Sequence, residues 1–139
     1  MTMNDPLVSA IRLAGAGLAA QSQRLRVVSE NVANANVTAS VPGGDPYRRK
    51  VLSFDTAVTT ASAEPSRGEV SVDQRPFREE YEPGHPAANS AGYVKYPNVD
   101  MATELADMRE ANRSYMANLQ MVKQAREAIN ATLDLLRTS

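Results

Sequence analysis

The sequence predicts a mainly α-helical protein with a small β-rich insertion, whose long N- and C-terminal helices pair as an antiparallel coiled-coil-like domain. Three observations predict this fold class. Apolar residues recur at alternating spacings of four and three near both ends of the chain, as in a coiled-coil seam. Residues 98–139 contain no Pro and no Gly, which favours one long helix. Residues 38–97 hold seven of the eight Pro and five of the seven Gly, which favours turns and short strands.

Residues 1–37 are predicted to form the N-terminal helix, the first half of the helix pair. Pro6 suits a first helical position, and Asn4 or Asp5 suits the cap before it. No basic residue precedes Arg12, so a cleaved secretory signal is not expected. The large apolar residues predicted for the seam of this helix are Leu7, Ile11, Leu18, Leu25, Val28 and Val32.

Residues 38–97 are predicted to form a β- and turn-rich outer segment. Residues 49–54 and 70–75 alternate in the manner of strands, and residues 42–46 carry a strong Pro and Gly turn signal. Residues 57–68 are expected to form a weakly ordered loop. Six of the seven aromatic residues fall in this segment, and we expect them to form a small satellite core: Tyr47, Phe54, Phe77, Tyr81, Tyr93 and Tyr96.

Residues 98–139 are predicted to form the C-terminal helix, the second half of the helix pair. Asn98 and Asp100 are the candidate caps, since they follow Pro97. Three polar residues interrupt the two seams and are expected to fix their register: Gln21, Asn112 and Arg126. The predicted seam of this helix consists of Leu105, Met108, Tyr115, Leu119, Val122, Ile129, Leu133 and Leu136.

The composition excludes several classes of function. The chain has 15 Lys and Arg against 16 Asp and Glu, a net charge of −1, which argues against binding of nucleic acid. The absence of Cys excludes disulfides and thiol chemistry, and the single His excludes a multi-His metal centre. The longest apolar or Gly run is residues 13–20, far below the roughly 20 residues that span a bilayer. We therefore expect no cofactor, no metal and no direct lipid anchoring.

Both predicted helices present more apolar surface than a two-helix seam needs. Only four residues between positions 6 and 36 are charged, whereas the outer face of a solvated helix normally carries more charge. Burial of about fifteen seam residues at roughly 1.5–3 kcal/mol each also falls short of the conformational entropy lost by ordering both helices. We infer that the terminal helices meet other subunits, while a closed dimer of three or four helices remains an alternative.

Four groups of residues were weighed as candidate sites. His85 lies in a Pro- and Gly-containing loop, where a turn-stabilising hydrogen bond is favoured over metal binding. A small hydrolase would use Glu79, Glu82 and His85, but the sequence shows no cleft. Arg48, Arg49 and Lys50 are expected to make an ionic contact between subunits. The Asn residues at 31, 34 and 36 are expected either simply to end the first helix or to end it and also bond to a neighbour.

Five motifs together resemble the axial proteins of the bacterial flagellum, which are its rod, hook and filament-joining subunits. These motifs occupy residues 29–38, 42–50, 83–94, 96–100 and 104–118, and in this order they are most similar to proximal rod subunits. The residues that carry the resemblance are Ser29, Asn31, Asn34, Asn36, Pro42, Gly43, Gly44, Tyr47, His85, Pro86, Gly92, Tyr93, Pro97, Asn98, Glu104, Asp107, Met108, Tyr115 and Asn118.

The resemblance implies a structural subunit, not an enzyme, that polymerises through its terminal helices into a hollow axial assembly. Such an assembly transmits torque and passes exported subunits. The implied partners are other proximal and distal rod subunits, components of the junction between the rod and the MS ring, and the flagellar type III export apparatus. The implied location is the periplasm-spanning rod of the basal body, reached without a cleaved signal peptide. The alternative is a coiled-coil adaptor or export chaperone of a secretion system.

Overall fold

The computed structural model describes residues 6–54 and 68–137, and it contains two long helices that pack against each other. Helix α1 spans Pro6–Ala33 and helix α2 spans Met101–Arg137. Asn31 of α1 bonds to Glu104 of α2, and Gly17 lies against Asn118, so the two helices run antiparallel. The predicted fold class is therefore confirmed. None of the described helices is long and apolar enough to cross a bilayer.

The last two turns of α2 extend beyond the point where the described part of α1 begins. Pro6 precedes Gly17 by eleven residues, so at the observed register Pro6 lies level with about Ile129, eleven residues after Asn118. Leu133 and Leu136, which were predicted for the seam, are exposed because they lie past this level. Leu105 is also exposed.

The contact between the helices uses part of the predicted seam of α2 together with smaller residues beside it. Three buried residues of α2 each lie one position before a predicted seam residue: Glu104 before Leu105, Ala111 before Asn112, and Ala125 before Arg126. Asn112 and Arg126, predicted as polar seam members, are exposed instead. Small side chains at the contact let the two backbones approach closely, which favours alanine over a larger neighbour. The remaining predicted seam residues are buried or half-buried: Leu7, Ile11, Leu18, Leu25, Val28, Val32, Met108, Tyr115, Leu119, Val122 and Ile129.

Local hydrogen bonds set where the two helices end and begin. Helix α1 ends four residues before the predicted boundary, because Asn34 Nδ2 donates to Glu30 O at 2.8 Å and satisfies a terminal carbonyl. Asp100 caps α2: its Oδ1 accepts from the Ala102 N–H at 3.1 Å, and its Oδ2 accepts from the Thr103 hydroxyl at 2.8 Å. These bonds lower the pKa of the Asp100 carboxyl.

Two antiparallel hairpins separate the helices in the chain. The first pairs β1, Lys50–Ser53, with β2, Glu69–Val72, near the predicted alternating segments. The second pairs β3, Arg78–Tyr81, with β4, Tyr93–Tyr96, and the sequence did not predict it. Most of the predicted loop 57–68 lies outside the described residues; only Gly68 is described.

The predicted aromatic satellite core is wrong. Tyr81 and Tyr93 make an edge-to-face contact with their ring centroids 5.3 Å apart, yet both are exposed. Three other rings lie apart, each beneath a guanidinium group. Arg24 covers Phe54 at 5.9 Å, Arg48 covers Phe77 at 4.2 Å, and Arg78 covers Tyr96 at 5.3 Å. The described rings therefore make one ring pair and three contacts with arginines, and they do not form a common core.

Candidate functional site: a polar junction between the helices and the hairpins

The last turns of α1 place Asn31 at the centre of a buried polar junction. Its side chain is 1% exposed and its amide pairs with the backbone of β1. Nδ2 donates to Lys50 O at 2.9 Å, and Oδ1 accepts from the Lys50 N–H at 2.9 Å. Oδ1 also accepts from the Tyr47 hydroxyl at 2.8 Å. Asn31 therefore uses both ends of its amide to hold the outer segment against α1.

The first turn of α2 contributes Glu104, which is 0% exposed. Its Oε2 accepts from Asn31 Nδ2 at 3.1 Å, and its Oε1 accepts from Arg49 Nε at 2.5 Å. Arg49 also lies 3.7 Å from carboxylate oxygens of Asp73 and Asp107. A buried carboxylate needs such a charged partner together with further hydrogen bonds. Glu104 thus joins α1, α2 and the start of β1 through one side chain.

Asn98 extends the junction to the segment between the hairpins. Its Oδ1 accepts from the Arg49 N–H at 2.8 Å, and its Nδ2 donates to Asp73 O and Arg75 O at 3.1 and 3.0 Å. Arg48 donates to the same two carbonyls at 3.3 Å. Arg75 pairs with Asp73 at 2.6 Å and lowers the pKa of the Asp73 carboxyl. The backbone linking the two hairpins is therefore fixed by side chains from both sides.

The basic residues at 48–50 have partners within the described part of the chain, and their expected ionic contact between subunits stays a prediction. Arg48 is held by two backbone carbonyls, and Arg49 pairs with Glu104. Lys50 pairs with Glu30 of α1. All three cations have partners inside the subunit because the hairpin lies against the helix pair.

The environment of the junction raises the pKa of Tyr47. Burial raises the pKa of its hydroxyl to about 12, and the negative charges of Glu30 and Glu104 add to the increase. The hydroxyl consequently stays protonated and keeps donating to Asn31.

A second group of motif residues joins the turn at residues 41–44 to the loop between β3 and β4. Gly43 has a φ of 69° and donates its N–H to Ala87 O at 3.0 Å. Gly92 has a φ of 84°, and a Cβ there would lie 2.8 Å from the ring of Tyr81. Both positions favour glycine for conformational reasons. His85 Nδ1 accepts from the Ala87 N–H at 3.0 Å, which confirms the predicted turn-stabilising hydrogen bond.

The candidate hydrolase residues do not form a cleft. Glu79 is exposed on β3, Glu82 accepts from the Tyr96 hydroxyl at 3.0 Å, and His85 bonds within its own loop. Within residues 6–54 and 68–137, no three His, Asp or Glu side chains are grouped so that they could hold a metal ion. The chemistry that the junction supports is attachment of one segment to another.

The other predicted motif residues are distributed around these contacts. Pro97 is buried, Tyr115 and Asn118 are half-buried on the α2 side that faces α1, and Ser29 and Asn36 are exposed. Sequence reasoning missed the pairing of Asn31 with Glu104 across 73 residues. The available signal was the spacing of four, three and four that places Glu104 in one row with Met108, Ala111 and Tyr115. The positions without a specific contact in the junction are Pro42, Gly44, Pro86, Tyr93 and Met108.

Comparison with known proteins connects this architecture to the flagellum. The family described as "Flagella basal body rod protein" matches residues 11–39, and the family described as "Flagellar basal body rod FlgEFG protein C-terminal" matches residues 90–135. These two matches contain the helical residues Asn31 and Glu104 that meet in the junction.

Individual relatives match over nearly the whole chain. The flagellar basal-body rod protein FlgC of Agrobacterium fabrum is 50% identical over 97% of this chain and 99% of its own length. FlgC of Salmonella typhimurium is 40% identical over 93% of this chain and 97% of its own. FlgC of Borreliella burgdorferi is 31% identical over 94% and 98%. Since these matches span the helices and the hairpins alike, the chain belongs to the FlgC family of flagellar basal-body rod proteins.

Proposed function

We propose that this chain is a structural subunit of the proximal rod, and not an enzyme, and that it polymerises through its terminal helices into a hollow axial assembly. The helix pair, formed from residues 1–37 and 98–139, is the inner domain in this proposal. Residues 38–97 are the outer segment. The assembly spans the periplasm, transmits torque and passes exported subunits, and the chain reaches it through the flagellar type III apparatus without a cleaved signal peptide.

The observation that carries the proposal is the number of large apolar side chains that the helix pair leaves exposed. Leu13 on α1 is 74% exposed, and on α2 Met116 is 63% exposed and Leu135 is 70% exposed. Large apolar side chains exposed in such numbers favour a surface that other proteins cover. The predicted seam residues that do not face α1 thereby gain a role at contacts between subunits: Leu105, Leu133 and Leu136.

The polar junction supports the transmission of torque. A force on the outer segment reaches the helices through charged and buried hydrogen bonds, such as those of Arg49 with Glu104 and of Asn31 with Lys50. Charge-assisted bonds of this kind are stronger than neutral ones. The outer segment is therefore held as one piece with the helix pair, as a load-bearing subunit requires.

The proposed partners are other proximal and distal rod subunits, the components that join the rod to the MS ring, and the type III export apparatus. The FlgC relatives are named as basal-body rod proteins, and the matched families are described in the same terms. These names support association with rod components in general.

Charged substitutions on the exposed face of α2 test the assembly role without disturbing the junction. In bacteria that carry this chain as their only copy, Leu105→Glu combined with Met116→Glu should abolish swimming and remove rods from purified basal bodies. Gln120→Glu is the matched control, because Gln120 is exposed on the same helix. Circular dichroism of the purified variants should show unchanged helix content. Normal rods in the double variant would refute assembly through this face.

Deletion experiments and light scattering test the wider proposal. Removal of residues 1–20 or of residues 125–139 should abolish rod assembly, and normal rods after either deletion would count against it. An adaptor or chaperone would instead form a closed dimer, so its scattering mass would reach a plateau as concentration rises. A rod subunit should remain monomeric alone and appear in purified basal bodies.

A further inference from the structure

Two amide side chains on α1 bind the first hairpin in the same way. Asn31 forms two hydrogen bonds with the backbone of Lys50. Gln23 forms two with the backbone of Gly68, donating from Nε2 to Gly68 O at 2.7 Å and accepting from the Gly68 N–H at 3.1 Å. Each amide thus satisfies the donor and the acceptor of one residue, as a neighbouring strand would.

The spacing of the two amides matches the length of the hairpin. Gln23 and Asn31 are eight residues apart, which is about 12 Å along a helix. Lys50 pairs with Val72 at one end of the hairpin, and Gly68 directly precedes β2 at the other end. Four residues of strand cover about 13 Å. The hairpin therefore lies alongside α1, with its Gly68 end toward the N-terminal half of the helix.

The surroundings of Gly68 show that its backbone is held tightly. Gly68 is buried, and a Cβ at this position would lie 2.7 Å from Leu52 Cδ1 and 2.9 Å from Phe54 Cε1. The guanidinium of Arg24, the residue after Gln23, covers the Phe54 ring at 5.9 Å. A larger side chain at this position would require Leu52 or Phe54 to shift.

We infer that Gln23 is a positioning residue, which fixes the direction of the first hairpin along α1 and so determines which face of the helix pair stays open to neighbouring subunits. The hairpin occupies the side of α1 that carries Gln23. Arg12, Ala19 and Arg26 lie at the edge of that same side, eleven and four residues before Gln23 and three after it, and all three stay exposed. The part of this inference that concerns neighbouring subunits rests on the proposed rod function; the placement of the hairpin does not.

Amide hydrogen exchange in the full chain tests the placement. In Gln23→Met, which keeps the length of the side chain and removes both bonds, the Gly68 amide should exchange about ten-fold faster. The Lys50 amide should change less than about two-fold, since Asn31 still accepts from it. The matched control is Gln120→Met, the same change at an exposed position of α2, and it should move neither amide.

Each outcome decides the inference. A selective loss of protection at Gly68 supports Gln23 as a positioning residue. Equal acceleration at Gly68 and Lys50 would show general destabilisation, and unchanged exchange would show that Gln23 does not hold the hairpin; either result overturns the inference. Rapid exchange of both amides in the unsubstituted chain also overturns it. Exchange is measured on unassembled protein. It can therefore support the placement of the hairpin by Gln23 even if the Leu105 and Met116 experiment refutes assembly, and it can refute that placement even if assembly is supported.

Discussion

The sharpest test of the junction is Glu104→Gln, which removes one charge and almost no volume. The wild-type carboxylate accepts two hydrogen bonds, from Arg49 Nε and from Asn31 Nδ2. A glutamine amide has only one acceptor oxygen. Its NH₂ group takes the place of the other carboxylate oxygen, so it faces either Arg49 Nε or Asn31 Nδ2, and neither of these donors can bond to it. One of the two donors therefore loses its partner in a site that is 0% exposed at Glu104.

The expected cost follows from the partners that remain. Disruption of a buried ion pair costs about 3–5 kcal/mol. Arg49 is 16% exposed and keeps Asp73 and Asp107 at 3.7 Å, so part of its charge stays compensated. We therefore expect a loss of about 2–3 kcal/mol in the free energy of unfolding. For a domain of this size, that corresponds to a fall of roughly 6–12 °C in the melting temperature.

Urea and thermal unfolding followed by far-ultraviolet circular dichroism measure this loss. Glu110→Gln is the control: it makes the same change on an exposed residue of α2 and should cost less than about 0.5 kcal/mol. In an Arg49→Met background, Glu104→Gln should cost at least about 1 kcal/mol less, since the guanidinium is gone. A Glu104→Gln loss as small as that of Glu110→Gln, or equal losses in both backgrounds, would refute the assigned ion pair.

Three further predictions follow from single positions. Gly15→Ala should stabilise the chain by about 0.5–1 kcal/mol because a Cβ there meets nothing within 4 Å, whereas Gly17→Ala should gain less because its Cβ would come within 2.6 Å of Asn118; thermal unfolding of the pair measures the difference. Tyr47 has a pKa of about 12 when folded against an ordinary value of 10.0, so its contribution to stability is full below pH 10 and lost as the pH rises toward 12; ultraviolet titration should show a late ionisation that Tyr47→Phe removes, and a wild-type titration without that step would contradict the raised pKa. Gly92→Ala should destabilise by about 1–3 kcal/mol, since φ is 84°, and a neutral result in urea unfolding would contradict the strain.

The helices were predictable because their signals are local. Alternating apolar spacing and the absence of Pro and Gly after Pro97 depend on neighbouring residues alone. The first hairpin was predictable from alternation for the same reason. The strand Arg78–Tyr81 was not, because its sequence begins with three charged residues in a row and has no alternation of apolar and polar residues.

The residues of α2 that face α1 were predicted in part. The predicted seam residues Met108, Tyr115, Leu119, Val122 and Ile129 are half-buried, whereas Ala111 and Ala125 are fully buried and were not predicted. A spacing pattern of large apolar residues does not identify such alanines, because an alanine side chain contributes little apolar area.

The junction could be predicted only in part. The motif resemblance selected Asn31, Tyr47, Asn98 and Glu104, but no local signal shows that they meet. Their meeting depends on the antiparallel register of α1 and α2, and on the fold of the first hairpin between them. Glu104 illustrates the difficulty: an acidic residue in the first turn of a helix is expected to interact with the helix dipole in solvent, whereas here it is fully buried.

In this chain, the side chains that align α1 with α2 differ from those that can supply most of the apolar stabilisation. Burial of alanines such as Ala14 and Ala125 contributes little apolar area, whereas full burial of one leucine contributes about 1.5–3 kcal/mol. The helix pair therefore derives its alignment from the polar contacts of Asn31 and Glu104, which tolerate no shift along the helix without losing hydrogen bonds. Some of the large side chains, such as Leu13 and Leu135, are exposed on the helix pair. On the proposed function, a subunit of this kind is aligned before assembly begins and gains most of its apolar stabilisation within the rod.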